Sequence, residues 1–196
     1  MKGLGEYQGG WFMMTWAADA PVMYYNKTML EEKGLPLPDP MEGYTVQEFQ
    51  EICGAVTDED QEQYGWWASE SWWAIYVPWI YGFGGQFYSE DKSQVLIDSD
   101  EAAEACQALA DIYVKYKGAV PRGADFGGSP LLMGKACFYL MNRFYCANLR
   151  DAEVEFEWDV AVPPKQPVKH VAGAGTMGPG VPQAAVSRGT EQAAWK

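Results

Sequence analysis

Apolar and polar positions alternate along this chain in two periods, and the periods predict its elements. Val22-Met23-Tyr24-Tyr25 is a short run of strand-forming residues, ended by Asn26 and Lys27. Thr28–Lys33 reads as a helical turn closed by Gly34, and three prolines between Leu35 and Pro40 hold the next stretch extended. Thr45-Val46-Gln47-Glu48 has the spacing of a capping box. Val46, Phe49, Ile52, Cys53 and Val56 then form one apolar stripe at helical period, which predicts a helix over 45–56. Tyr64–Trp67 reads as a buried strand. Ser71 is positioned to cap a helix that places Trp72, Tyr76, Trp79 and Phe83 on one face and stops at Gly82, with Pro78 either kinking it or setting its limit.

Gly84-Gly85 is a turn and Gln94–Ile97 a short strand. Ser99-Asp100 opens a helix in which Ala102, Ala105, Cys106, Leu109, Ile112, Tyr113 and Tyr116 keep the period, closed by Gly118 and Pro121. Pro130–Gly134 is a helical turn, Lys135–Met141 a strand and Phe156–Val162 another. Residues 163–182 read as a Gly/Pro-rich loop with Val181 in a final strand. A helix starts at Thr190-Glu191 and runs through Trp195 to the end of the sequence, so the sequence looks cut inside an element.

Composition narrows the chemistry. The 196 residues carry 14 Lys+Arg against 27 Asp+Glu, a net charge of −13, which opposes binding of polyanions through a basic face. At 48% apolar the chain belongs with folded rather than disordered proteins, and no apolar run is long enough for a membrane span. Residues 1–20 show no secretory leader pattern. The four cysteines, Cys53, Cys106, Cys137 and Cys146, lack metal-binding spacing and read as small buried hydrophobes; no metal or cofactor is expected. Any His-dependent nucleophile would have to use His170, in a Pro/Gly-rich stretch. Nine Trp, twelve Tyr and eight Phe exceed what a core of this size needs, so some rings are expected to face a ligand or partner.

The order of motifs then carries a resemblance. Val22-Met23-Tyr24-Tyr25-Asn26-Lys27, Gly34-Leu35-Pro36, Thr45-Val46-Gln47-Glu48-Phe49, Gly84-Gly85, Gly134-Lys135-Ala136 with Met141-Asn142, and Trp158-Asp159-Val160-Ala161-Val162-Pro163 succeed one another over about 190 residues. This series resembles the family 1 extracellular solute-binding proteins of ABC importers, in the carbohydrate-binding branch. Val46 stands where that family has Trp, but the capping pair survives. The resemblance implies an α/β, periplasmic-binding-protein-like (type II) fold, present mainly as the helix-rich second lobe with a small mixed sheet. Residues 1–21 would be a remnant of the first lobe and a crossing segment, 22–162 the second lobe, and 163–196 a glycine-rich crossing loop with the start of a helix. It also implies an extracellular or periplasmic, lipid-anchored parent working with an ABC permease in the membrane. A chain holding half of a cleft is expected to expose apolar surface or to pair with a second copy.

A sugar needs flat apolar rings for its C–H face and polar groups for its hydroxyl edges. Trp72 and Trp73 lie where the family commonly has a stacking ring, although Trp72 with Tyr76 reads equally as a core stripe. Asn142-Arg143-Phe144 matches the family's polar-then-aromatic cleft segment, although Arg143 is also readable as a surface charge. Gly173-Ala174-Gly175-Thr176, through Gly175, resembles the loop whose backbone approaches the ligand, or is a plain turn. Trp16 and Asp19 match a cleft tryptophan and acid, although Asp19 could equally cap a turn. The rival readings are a glycoside hydrolase, with Glu70 and Asp159 as carboxylates, and a carbohydrate-binding module. The first needs two acids about 5–10 Å apart that nothing in the sequence pairs. The second is usually all-β, against the helices read here.

Overall fold

The computed structural model of the protein describes residues 6, 7, 9–11, 13, 14, 16–69 and 72–194. In chain order the elements are β1 (Glu6–Tyr7), β2 (Gly10–Trp11), β3 (Ala17–Asp19), β4 (Pro21–Asn26), α1 (Lys27–Glu32), α2 (Val46–Val56), β5 (Tyr64–Trp67), α3 (Trp73–Gly82), α4 (Asp100–Val114), β6 (Ala136–Asn142), α5 (Tyr145–Asp151), β7 (Trp158–Ala161), β8 (Gly175–Met177), α6 (Gln183–Ser187) and α7 (Glu191–Ala194), with a 3-10 turn at Glu59–Gln61. They divide into two compact units, one spanning Pro21–Gly173 and the other formed by the two flanking segments.

The larger unit is built on a four-stranded sheet in the order β5-β6-β4-β7. β4 is antiparallel to β6 and to β7, and β5 is parallel to β6. Side chains alternate across a strand with period 2, and here both faces are apolar. Met23, Tyr25, Trp66, Phe138, Leu140 and Ala161 point to one side. There they pack on Met29 and Leu30 of α1, Phe49, Ile52, Cys53 and Val56 of α2, Ile75, Trp79 and Ile80 of α3, and Ala102, Ala105 and Ile112 of α4. Tyr24, Tyr139, Val22, Trp67, Met141, Trp158 and Val160 point to the other, against Leu131, Tyr145 and Leu149. The sheet is therefore the middle of three layers, with α5 and residues 131–132 as the thinner cover.

The caps follow the sequence. Thr45 accepts from the Glu48 N–H (3.2 Å), and the Glu48 carboxylate accepts from the Thr45 N–H (2.8 Å) and hydroxyl (2.9 Å), a complete capping box. Asn26 caps α1 by accepting from the Met29 N–H, and Ser99 caps α4 by accepting from the Ala102 N–H. Pro78 lies inside α3, which continues to Gly82. Ser71, read as that helix's cap, and Trp195 lie outside the described residues.

Several expectations are corrected. α4 ends at Val114 rather than Tyr116, because Lys117 takes a left-handed backbone (φ 50°) and the Gly118 N–H returns to the Ile112 carbonyl (2.8 Å). Cys106 is exposed, not buried. It falls about 80° from the centre of the Ala102–Ala105–Ile112 stripe at roughly 100° per residue. Gln94–Ile97 is not a strand. Asp91 accepts from the Ser89 hydroxyl (2.6 Å) and from the Ser93 N–H (3.1 Å) and hydroxyl (2.8 Å), folding residues 88–95 into a turn that leaves one bridge, Tyr88 to Val95. These donors hold the Asp91 carboxyl down at about 2. Val181 is not in a strand; β8 forms earlier in the same loop, and α5 and α6 are helices the pattern did not show.

The smaller unit holds two ribbons. β1 pairs with β2, and β3 pairs with β8 with Ala17 opposite Met177, Ala18 opposite Thr176 and Asp19 opposite Gly175. α6 and α7 follow.

Candidate functional site

Strand direction decides what shares an edge in the larger unit. β5 and β6 are parallel neighbours, so their carboxyl ends lie together, and Pro21 at the start of β4 is opposite Asn142 at the end of β6. From this edge β5 leads through Ala68 and Ser69 into Trp72 and Trp73, while β6 leads into Asn142, Arg143 and Phe144. The structure thus brings Trp72, Trp73, Asn142, Arg143 and Phe144 to one edge of one sheet. In the smaller unit, Trp16, Asp19 and Gly175 gather on the β3–β8 ribbon: the Trp16 N–H donates to the Met177 carbonyl (3.1 Å), and Asp19 faces Gly175.

The two neighbouring tryptophans divide their tasks. The Trp72 N–H closes a turn onto the Ser69 carbonyl (3.0 Å), and its side chain packs partly buried against the helical core. Trp73, the first residue of α3, stays 44% exposed, and Phe144, which precedes α5, is 60% exposed. Exposed large rings flanking a polar turn are the expected walls of a site for an amphipathic solute. Asn142, at the end of β6, supplies a polar group at the same sheet edge. Its Oδ1 is buried and has no hydrogen-bond partner among the described residues, an acceptor whose desolvation is uncompensated until a donor reaches it.

Beneath this edge lies an aromatic stack that sequence reading did not pick out. The Trp67 and Tyr139 rings stack at 4.1 Å. Tyr145 meets Tyr139 edge-on at 4.9 Å and Tyr24 at 5.3 Å. The Tyr24 hydroxyl donates toward the Asn142 and Arg143 carbonyls (3.1 and 3.0 Å), and the Tyr145 hydroxyl bonds Ser129. Burial pushes the Tyr139 and Tyr145 phenols up, so both stay neutral. The stack therefore holds the Asn142–Phe144 turn on a rigid, uncharged base. The available signal was the alternation of Tyr139 and Met141 with Phe138 and Leu140, which puts Tyr139 on the face away from the main helices.

Catalytic candidates do not assemble among the described residues. His170 Nε2 bonds the Pro163 carbonyl (2.9 Å), and the Asp159 carboxylate accepts from the Val160 N–H (2.8 Å). Glu70 lies outside the described residues. No group of three or more His, Cys, Asp or Glu among those described is placed to hold a metal ion. No described helix is long and apolar enough to cross a membrane.

Comparison with known proteins agrees with the motif order. Solved structures similar to the chain include an ABC substrate-binding protein from Listeria monocytogenes in complex with cycloalternan (TM-score 0.83, 20% identity, 97% of this chain and 48% of that one). Another is maltose-bound T. maritima MalE3 (TM-score 0.74, 21% identity, 99% and 51%). A third is UgpB from Mycobacterium tuberculosis in complex with glycerophosphocholine (TM-score 0.78, 17% identity, 98% and 50%). The chain spans about half the length of these proteins, and they establish a shared periplasmic-binding-protein-like fold. Among curated proteins no sequence matches significantly. The family model for bacterial extracellular solute-binding proteins matches residues 2–196, and the chain belongs to that family.

Proposed function

We propose that this chain contributes most of the second lobe, around residues 22–162, of the substrate-binding component of an ABC importer. It grips a sugar or oligosaccharide by ring stacking and hydrogen bonds and releases it unchanged to a permease. In this reading the Trp73 and Phe144 rings meet the C–H faces of the solute. Asn142 and Arg143 meet its oxygens. Trp16, Asp19 and Gly175, on the β3–β8 ribbon, are further solute-contacting residues in this reading, and Trp72 anchors the start of α3 in the core.

The observation that carries the reading is the pairing of exposed rings with an unsatisfied buried acceptor at one sheet edge. A solute hydroxyl both donates and accepts, so it can satisfy Asn142 without bringing a charge into the site. The exposed Arg143 guanidinium favours a second reading, a solute carrying a phosphodiester, which an arginine fork recognises well.

Calorimetric titration of the full-length protein with maltose, cycloalternan and glycerophosphocholine separates the two. Saturable saccharide binding weakened at least about tenfold by Trp73→Ala supports the first. Binding of glycerophosphocholine alone, lost in Arg143→Ala, supports the second. Saccharide recovered as hydrolysis products would overturn both.

A further inference from the structure

Residues 166–173 form a strap along α3. Gln166, 3% exposed, turns it: its Nε2 donates to the Val171 carbonyl (3.3 Å), and its Oε1 accepts from the Val171 N–H (2.9 Å). Gly82, at the carboxyl end of α3, leaves room for this side chain, since a Cβ there would lie 2.5 Å from Gln166 Cγ. The Gly82 carbonyl also accepts from the Val168 (3.0 Å) and Lys169 (3.2 Å) N–H groups. The strap is thus pinned at one end of the helix.

At the other end Gly173 lies against the first residues of α3. A helix of 10 residues is about 15 Å long, and the five Cα-to-Cα steps from Val168 to Gly173 reach about 17 Å when extended. The span is within the segment's reach, and its anchors are the Gly82 carbonyl and the clasp of the Gln166 side chain on Val171.

A Cβ built on Gly173 would lie 3.3 Å from Cζ3 and 3.5 Å from Cη2 of the Trp73 ring, and 3.6 Å from Ala74 Cβ. The indole thus rests directly on the bare Cα. Trp73 is 44% exposed, so its ring has room to give by the few tenths of an ångström that a methyl group at 173 demands. Gly173 has no positive φ, and an alanine there acts through sterics alone. Gly175 differs: a Cβ on it meets no described atom within 4 Å.

We propose that Gly173 is a positioning residue, the backstop that fixes the angle at which the Trp73 ring meets the solute. Any side chain at 173 retunes affinity without touching the solute. The proposal rests on the reading of Trp73 as a stacking platform, and a double-mutant cycle tells the two apart.

The test uses the full-length protein, its Gly173→Ala, Trp73→Ala and double variants, titrated with maltose by calorimetry. A ligand-free NMR measurement of the Gly173 Hα shifts accompanies it. The expected result is a loss of roughly three- to tenfold for Gly173→Ala and less than about twofold when Trp73 is already Ala, the coupling typical of residues in contact. The Hα shifts lie upfield in wild type and return to ordinary values in Trp73→Ala. Equal losses from Gly173→Ala in both backgrounds, or Hα shifts indifferent to Trp73, overturn the backstop while leaving the platform standing. Maltose affinity unchanged by Trp73→Ala, or no maltose binding at all, overturns the platform and the backstop with it.

Discussion

Cys53 shows how far single residues set the packing of this protein. A Cβ on Gly65 would lie 2.3 Å from Cys53 Cα and 2.4 Å from its carbonyl oxygen, and a Cβ on Gly118 would lie 2.5 Å from the Cys53 carbonyl carbon. The α2 backbone is pressed directly onto β5 and onto the segment that bridges to Trp66 through the Trp66 N–H to Gly118 carbonyl bond (2.7 Å). The contacts are backbone on backbone, so no rotamer change relieves them. Gly65→Ala should therefore cost about 3 kcal/mol or more, at the upper end of overpacking effects. Gly128→Ala, whose Cβ would meet only Met133 Sδ at 3.6 Å, should stay within about 0.5 kcal/mol. Urea denaturation of the two variants checks this; equal midpoints would mean that α2 is not seated as described. The same crowding buries the Cys53 thiol and, with Cys137 nearby, pushes its pKa up, so it stays protonated and inert.

At the scale of elements, what carries its own signal was readable and what depends on distant contacts was not. α2 announced itself twice, by the Thr45–Glu48 pair and by a five-residue stripe whose members are all buried. The place of Trp72-Trp73 and Asn142-Arg143-Phe144 after two strands was readable because those strands' apolar runs are plain. α5 was not, because only Tyr145 and Leu149 of its seven residues are buried and Phe144 gives no side-chain cap. β8 exists through its pairing with β3, more than 150 positions earlier, which no local window contains. The capping box yields a prediction at this scale. The Thr45 N–H and hydroxyl hold the Glu48 carboxyl below the usual carboxylate range. Its stabilising contribution is then complete above the unfolded value of about 4.3 and fades as pH falls through the lower folded value. Thr45→Ala should cost about 1 kcal/mol near pH 7. The smaller gap between wild type and Glu48→Gln should close between about pH 5 and 3. Thermal melts across that range check the trend, and a gap that widens on acidification would reverse the assignment.

For the whole molecule, the distribution of the core decides how stability is shared. Every described hydrophobic residue that is buried, from Met23 to Ala161, belongs to the Pro21–Gly173 unit. Among the described residues the flanking segments contribute none. Their described strands form two-stranded ribbons, and α6 and α7 have five and four residues. A two-stranded ribbon is marginal in water without a face to bury, and helices this short do not hold alone. The larger unit has a sheet covered on both faces and needs neither ribbon to close its core. Residues 21–173 produced alone should therefore unfold cooperatively, with a midpoint within about 5 °C of the full chain, since a shift of that size corresponds to only about 1–2 kcal/mol in a domain of this length. In the intact 196-residue chain, amides of Ala17–Asp19 and Gly175–Met177 should exchange with solvent long before those of Met23–Tyr25 and Phe138–Leu140, which open only with the whole sheet. Equal protection in the two sets, or loss of cooperative melting in the 21–173 fragment, would show that the ribbons are part of one folding unit with the sheet. The alternative outcome leaves the sheet edge near Trp73, Asn142 and Phe144 as a surface that folds without the flanking segments.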